Sequence, residues 1–235
     1  MSSQSVNEWR ILRDALVSSF ASNGSESSDV AAEIALVTRY LEPTLQVPPI
    51  IPVSSGHGVT RYLDEVLAST ETFAPAFAKA LKPVAAALPW RYGYLPRDDA
   101  PGLESEMAWA ELIGPVAPWR SDDVCLGLTL IGRNSFYPAH RHPAVELYTV
   151  VSGTAEWSLG NNAAWRPPGS RILHLSEAVH AMRTGDEPLL AIYSWTGDVI
   201  SPSRYISEAA GGAPVFHSPE ESLLGNSSPV LSSTG

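Results

Sequence analysis

Apolar residues recur every three or four positions in three segments of the first 80 residues, and this spacing predicts helices. The segments are 6–22, 30–41 and 60–80. Pro75 is expected to split or kink the third segment, because proline has no amide hydrogen for the helical hydrogen bond. A stretch rich in proline and glycine, residues 43–58, predicts a connecting loop. We therefore expect residues 1–89 to form a helical N-terminal extension.

From residue 90 onwards the apolar stretches become short, regularly spaced and separated by turn residues such as Gly160-Asn161-Asn162. This pattern predicts β-strands and is typical of an all-β barrel or sandwich. The tail from 211 to 235 is rich in serine, proline and glycine, so we expect it to be flexible. We assign residues 90–210 to the β-domain, with strands at 90–94, 107–112, 124–131, 154–159, 171–175, 189–195 and in a histidine-rich stretch that ends at Val151.

The composition excludes several classes of protein. The 235-residue chain has a net charge of −10 and no basic cluster, which argues against binding to nucleic acid phosphates. Cys125 is the single cysteine, so an intrachain disulfide and a cysteine-based zinc site are excluded. The first ten residues lack the layout of a signal peptide, and no apolar run approaches the roughly 20 residues of a membrane span. We expect a soluble, cytoplasmic protein.

A cluster of metal-ligand residue types lies in the histidine-rich stretch. His140, His142, Glu146 and Tyr148 occupy even positions, and alternate side chains of an extended strand share one face. His180 follows after further strand segments and supplies a third imidazole. This nitrogen- and oxygen-rich set suits Zn, Fe, Mn or Ni. The sequence therefore predicts one divalent transition metal ion, with His140, His142, Glu146 and His180 as its ligands.

The same stretch resembles the first motif of the cupins, which are small β-barrels of the jelly-roll type. His140-x-His142, Glu146 and Gly153 match the spacing of that motif. Asn134 stands where the motif has a glycine, six residues before the first histidine. The resemblance implies a cupin jelly-roll barrel, here preceded by the helical extension.

The second cupin motif is only partly present. Pro167-x-Gly169 fits it, but the histidine that the motif has three residues later is absent. His174 and His180 are the candidates for this ligand. We favour His180 because it opens the next strand towards the barrel mouth, whereas His174 lies between two leucines.

A narrower resemblance is to the bacterial dimethylsulfoniopropionate lyases of the cupin group. The resemblance covers mainly residues 90–200 and rests on His142, Glu146, Tyr148, His180 in its His-Ala-Met context, Tyr137 and Trp195. It implies a metal-dependent carbon–sulfur lyase. The substrate of such an enzyme is a small zwitterion, a sulfonium carboxylate, which is split into dimethyl sulfide and acrylate.

The chemistry of β-elimination suggests roles for the aromatic residues. A base must remove the proton next to the substrate carboxylate, and a tyrosine can do so only if its pKa, about 10 when free, is lowered. Tyr148 is the first candidate for this base and Tyr137 the second. Aromatic faces attract a sulfonium cation, and Tyr193 and Trp195 share one face of the last predicted strand.

Two other functions fit the same motif. A cupin Fe(II) dioxygenase would use the four metal ligands, with Tyr148 outside the ligand set, and it would require oxygen. A non-catalytic cupin would bind a small ligand without forming a product. The apolar N-terminal helices are equally consistent with a homodimer interface and with a cover over the barrel.

Overall fold

The computed structural model describes residues 3–22, 27–51, 56–160 and 162–206, and its first part is helical. Within these ranges, every helix is too short or too polar to traverse a lipid bilayer. The predicted tail at 211–235 lies outside the described residues. The helices are α1 (Ser3–Ala21), α2 (Ser28–Leu41), α3 (Leu63–Phe73), α4 (Pro75–Leu81) and α5 (Leu103–Glu106), with 3-10 turns at Glu42–Gln46, Gly58–Tyr62 and Ala85–Ala87.

Local sequence signals account for the ends of these helices. Ser27 caps α2, and its side chain accepts a hydrogen bond from the amide of Val30 at 3.4 Å. The predicted interruption at Pro75 is confirmed, because α3 ends at Phe73 and Pro75 occupies the first turn of α4. Ala74 between them has φ of −134°, outside the helical range.

The second part of the chain forms two β-sheets. The six-stranded sheet has the order β2-β1-β3-β10-β5-β8, and the five-stranded sheet has the order β11-β4-β9-β6-β7. The strands are β1 (Met107–Gly114), β2 (Trp119–Arg120), β3 (Val124–Ile131), β4 (Phe136–Arg141), β5 (Val145–Ser152), β6 (Ala155–Leu159), β7 (Asn162–Arg166), β8 (Arg171–His174), β9 (His180–Thr184), β10 (Leu189–Thr196) and β11 (Arg204–Tyr205).

Most predicted strands are confirmed, whereas the two-residue strands β2 and β11 were not predicted. The stretch 90–94 makes only an isolated bridge between Arg91 and Trp109, so the prediction of a strand there is wrong. The edge strand β7 was not predicted, because its burial is low and its sequence lacks the alternation of a half-buried strand.

The helices cover the outer face of the six-stranded sheet. Leu126, Leu128 and Leu130 of β3 belong to one buried cluster with apolar residues of α1 to α4. Cys125 and Ile131 of the same strand belong to a second cluster between the two sheets. Burial on both faces explains why β3 is apolar at every position except Thr129. The N-terminal helices therefore act as a cover over the barrel, one of the two roles that the sequence left open.

We expect Leu128→Ala to lower the free energy of unfolding by about 2–5 kcal/mol, because it opens a cavity in this helix–sheet interface. Leu128 is fully buried, whereas Leu175 is 64% exposed. Leu175→Ala is therefore the matched control and should change stability by less than about 0.5 kcal/mol. Urea unfolding of the two variants checks the prediction. Equal midpoints would show that the helices do not contribute to the stability of the sheet.

Candidate metal centre

The histidine-rich stretch is two strands rather than one. β4 belongs to the five-stranded sheet and β5 to the six-stranded sheet, and Pro143 between them cannot donate to a strand ladder. The prediction of a single strand with its even positions aligned is therefore wrong. His140, His142, Glu146 and Tyr148 nevertheless line one cavity, because the inner faces of both sheets border it.

A β-bulge in β4 brings Tyr137 to the same cavity. Tyr137 pairs with Met182 and His140 pairs with His180, so β4 has one residue more than β9 between these two pairs. As a result the odd-numbered Tyr137 and the even-numbered His140 both face inwards. Their rings stack with centroids 3.9 Å apart. Strand alternation alone predicts opposite faces for these two residues.

Glu146 lies at the centre of the cluster. Its Oε2 is 3.1 Å from Nε2 of His142, 3.0 Å from Nδ1 of His174 and 3.4 Å from Nε2 of His180. Its Oε1 accepts a hydrogen bond from Nε1 of Trp195 at 2.7 Å. Burial by itself would raise the pKa of Glu146, but the surrounding histidines, His142 foremost, hold that pKa well below its usual value. Glu146 is therefore an ionised carboxylate inside the protein.

Three of the histidines are oriented by the same backbone contact. Nδ1 of His140, His142 and His180 lies 2.8, 3.0 and 2.9 Å from a carbonyl oxygen two residues away. A carbonyl oxygen only accepts, so Nδ1 of each ring carries a hydrogen and Nε2 is the nitrogen left for another partner. This is the arrangement that metal-binding histidines have in proteins.

These residues fit a divalent metal ion. The ligand atoms of His142, Glu146 and His180 all lie within 4.8 Å of one another. Nε2 of His180 is buried, faces the Glu146 carboxylate and has no hydrogen-bond partner among the described residues. A cation between these two lone-pair atoms would satisfy both. His140 stands beside this group, with its ring centroid 4.0 Å from that of His180.

His174 also reaches the cluster, although the sequence analysis set it aside as a ligand. It pairs with Glu146 across β8 and β5, is fully buried, and stacks on His180 with centroids 3.8 Å apart. It differs from the other histidines because it directs Nδ1, not Nε2, to the Glu146 carboxylate. The pairing of β8 with β5, which brings His174 to the cluster, is not visible in the sequence.

Two non-glycine residues of the described chain, Asn134 and Glu177, have the left-handed backbone conformation that favours glycine. Asn134, in the first motif, has φ of 50°, and Glu177, three residues before His180, has φ of 63°. Asparagine tolerates this left-handed conformation better than most residues. Glu177 is held there by Arg204 at 2.6 Å, and its amide donates to the carbonyl of His142. Asn134 therefore keeps the conformation of the glycine that the first motif has at this position.

Tyr148 is buried in the wall of the cavity and pairs with Tyr193 on β10. Burial and the nearby Glu146 carboxylate raise the pKa of Tyr148 well above its usual value. Burial likewise raises the pKa of Tyr137, whose hydroxyl contacts that of Tyr94. Both candidate bases are therefore protonated in the metal-free protein.

Trp195 and Tyr193 line the cavity from β10. The Trp195 ring lies against His142 with centroids 4.4 Å apart, and its indole nitrogen donates to Glu146. Trp195 is thus part of the hydrogen-bonded cluster, a role that the sequence analysis did not predict.

The cavity has a volume of about 450 Å³ and contains side chains that the sequence analysis missed. Strand alternation along β1 could have identified three of them, because alternate residues of one strand share a face. The missed lining residues include Met107, Trp109 and Glu111 from β1, and Arg91 and Tyr94 from the preceding loop.

The two-sheet barrel, with histidines and a carboxylate between its sheets, defines a cupin with a site suited to a divalent metal ion. A family profile described as dimethylsulfoniopropionate lyase matches residues 32–191. Dimethylsulfoniopropionate lyase DddQ of Ruegeria pomeroyi is 30% identical over 160 residues, which cover 68% of this chain and 79% of that protein. DddL of Cereibacter sphaeroides is 36% identical over 141 residues, which span 59% of each protein and thus less than two thirds of DddL.

Solved structures agree with this relationship. The crystal structure of DddQ from R. pomeroyi has a TM-score of 0.61 at 25% identity, covering 83% of this chain and 95% of that one. A chain from the structures of the lyases RdDddP and RnDddQII has a TM-score of 0.66 at 20% identity. The match covers 86% of this chain and 98% of that one, and it supports the fold. The chain belongs to the dimethylsulfoniopropionate lyase family of carbon–sulfur lyases.

Proposed function

We propose that the protein cleaves dimethylsulfoniopropionate into dimethyl sulfide and acrylate, with one divalent transition metal ion held by His140, His142, Glu146 and His180. Family membership supports the reaction. The observation that carries the metal dependence is the convergence of imidazole Nε2 atoms on the buried Glu146 carboxylate, one of them without a hydrogen-bond partner.

A bound divalent ion would supply positive charge that acidifies the proton next to the substrate carboxylate and favours the phenolate of Tyr148. Tyr148 is the proposed base, because it lines the cavity two residues from Glu146 on the same face of β5. Its phenolate oxygen takes the proton from the α-carbon. The electron pair of that bond forms the carbon–carbon double bond, the carbon–sulfur bond breaks, and its pair leaves with neutral dimethyl sulfide.

Other residues of the cavity position the substrate. Trp195, fixed by its hydrogen bond to Glu146, offers an aromatic ring close to the metal ligands, and Tyr193 lies on the same face of β10. Both rings are proposed to contact the sulfonium group. Tyr137 is the second candidate for the base, and its contact with Tyr94 also suits a role in binding the substrate carboxylate.

Purified protein mixed with dimethylsulfoniopropionate should release dimethyl sulfide, measured in the headspace. We expect a chelator to reduce the rate at least about 100-fold, because the metal both binds and activates the substrate. Restoring Zn, Fe, Mn or Ni one at a time identifies the metal. The reaction should proceed equally well without oxygen. Absence of product with all four metals would contradict the proposal, and a strict need for oxygen would indicate a dioxygenase instead.

A further inference from the structure

A second buried carboxylate, Glu111, lines the same cavity and takes no part in the reaction proposed above. It lies on β1, which is separated from β5 by β3 and β10. Its side chain is only 10% exposed, and its Oε2 accepts a hydrogen bond from Arg91 at 3.0 Å. Its Oε1 is buried and makes no hydrogen bond within the described part of the chain. A buried charged oxygen without a donor is costly unless a cation meets it.

Two glycines shape the cavity wall around this carboxylate. A Cβ atom at Gly114 would lie 2.5 Å from Oε1 of Glu111, so a side chain there would displace the carboxylate. A Cβ atom at Gly127 would lie 2.8 Å from Cε1 of Tyr193 and 3.0 Å from Cα of Glu111. Gly127 therefore allows the Tyr193 ring to lie close to the Glu111 backbone.

Apolar and aromatic side chains separate Glu111 from the metal cluster. Cys125 lies beside the Glu111 carboxylate. In the strand register, Cys125 of β3 is opposite Trp195 of β10, and Trp195 is opposite Glu146 of β5. The thiol of Cys125 and the amide of Val116 lie close enough to the Glu111 carboxylate to lower its pKa, and neither carries a formal positive charge. The two carboxylates thus lie at opposite ends of one wall of the cavity.

Arg91 and Glu111 both line the cavity, and they differ in exposure to solvent. The Arg91 side chain is 46% exposed, so water screens its charge much more than it screens the buried carboxylate. Burial raises the pKa of Glu111, and Arg91 counteracts this rise by favouring the carboxylate form. Glu111 therefore presents a buried carboxylate to the cavity, with the more exposed Arg91 beside it.

We propose that Glu111 binds the cationic end of the substrate and makes the cavity selective for a sulfonium over an uncharged group of the same shape. This inference rests on the proposed function. A sulfonium group has no N–H or O–H to donate, so it interacts through charge alone. A carboxylate oxygen without a donor, next to the aromatic rings of Tyr193 and Trp195, suits such a ligand.

The test compares Glu111→Gln with the wild type at about pH 8, on the alkaline side of the ordinary pKa of a glutamate. The probes are dimethylsulfoniopropionate and 4-methylpentanoate, which carries an uncharged CH group in place of the sulfonium. We expect KM for dimethylsulfoniopropionate to rise about tenfold. The inhibition constant of 4-methylpentanoate should stay within about twofold, because that ligand has no charge at this end.

The turnover number provides a second readout. Sulfur loses its positive charge as the carbon–sulfur bond breaks, so Glu111 stabilises the bound substrate more than the transition state. Glu111→Gln should therefore leave kcat unchanged or raise it while KM rises. A fall in kcat together with weaker binding of both probes would assign Glu111 a structural role and overturn the proposal. An unchanged KM would also overturn it.

Arg91→Met is the matched control for the broken ion pair. If Glu111 acted only by holding Arg91, both variants would weaken binding in the same way. We expect the two variants to differ instead. KM for dimethylsulfoniopropionate should rise in Glu111→Gln but stay unchanged or fall in Arg91→Met, because Arg91→Met removes a positive charge near the sulfonium. If the wild type cleaves no dimethylsulfoniopropionate, the proposed function fails. Calorimetric binding of the two probes to the metal-loaded proteins then still tests the cation site.

Discussion

Tyr148→Phe should lower the rate of dimethyl sulfide release by about 100- to 10,000-fold, the range expected when a general base is removed. The substitution deletes one oxygen and keeps the ring, which is buried and packs against Trp157 with centroids 5.7 Å apart. The fold and the metal cluster should therefore persist. Headspace measurement of dimethyl sulfide, with metal content determined on the same sample, checks the prediction.

Tyr40→Phe is the matched control, because it removes the same oxygen from a half-buried tyrosine on the helical side of the six-stranded sheet. Its activity should equal that of the wild type. If Tyr148→Phe retains activity, the base is Tyr137 or Glu146. Tyr137→Phe then distinguishes these two residues. Loss of activity in this variant would identify Tyr137 as the base, and retained activity would identify Glu146.

His180→Ala should weaken metal binding by more than about 100-fold and abolish activity, because it removes a ligand outright. His174→Ala should weaken metal binding only about 10- to 100-fold, the usual effect of losing a residue that orients a ligand. The reason is geometric, since His180 directs Nε2 towards Glu146 while its Nδ1 faces a backbone carbonyl. His174 instead directs Nδ1 to the Glu146 carboxylate.

Titration with Zn against a chromophoric chelator measures both affinities, and circular dichroism reports whether each variant is folded. The order of the two effects is the decisive result. If His174→Ala loses more affinity than His180→Ala, the imidazole from the second motif is His174. The preference for His180 would then be wrong, and Nδ1 of His174 would be the ligand atom.

Local patterns predicted much of the fold, because they report interactions between residues close in the chain. The helical spacing of apolar residues located α1 and α2, and Pro75 located the break between α3 and α4. The apolar run 124–131 coincides with β3. The weakly patterned edge strand β7 was missed, since all of its residues are exposed or only half-buried.

The composition of the site could also be predicted, whereas its arrangement could not. The spacing of His140, His142 and Glu146 identified a cluster of ligand types that the structure brings together around one cavity. The reason given for their proximity was a single strand, and the structure shows two strands in different sheets. The residues meet because the barrel closes around them, which is a property of the whole domain.

By itself, the sequence determined the helical and strand periods, the metal-ligand residue types and the family to which the chain belongs, since each depends on residue identity and spacing. The tertiary structure decided which distant side chains join the site. The bulge in β4 turns Tyr137 inwards, the pairing of β8 with β5 brings His174 to Glu146, and the sheet order places Glu111 in the same cavity. Such contacts depend on strand register and sheet closure, which join residues far apart in the chain and leave no local pattern.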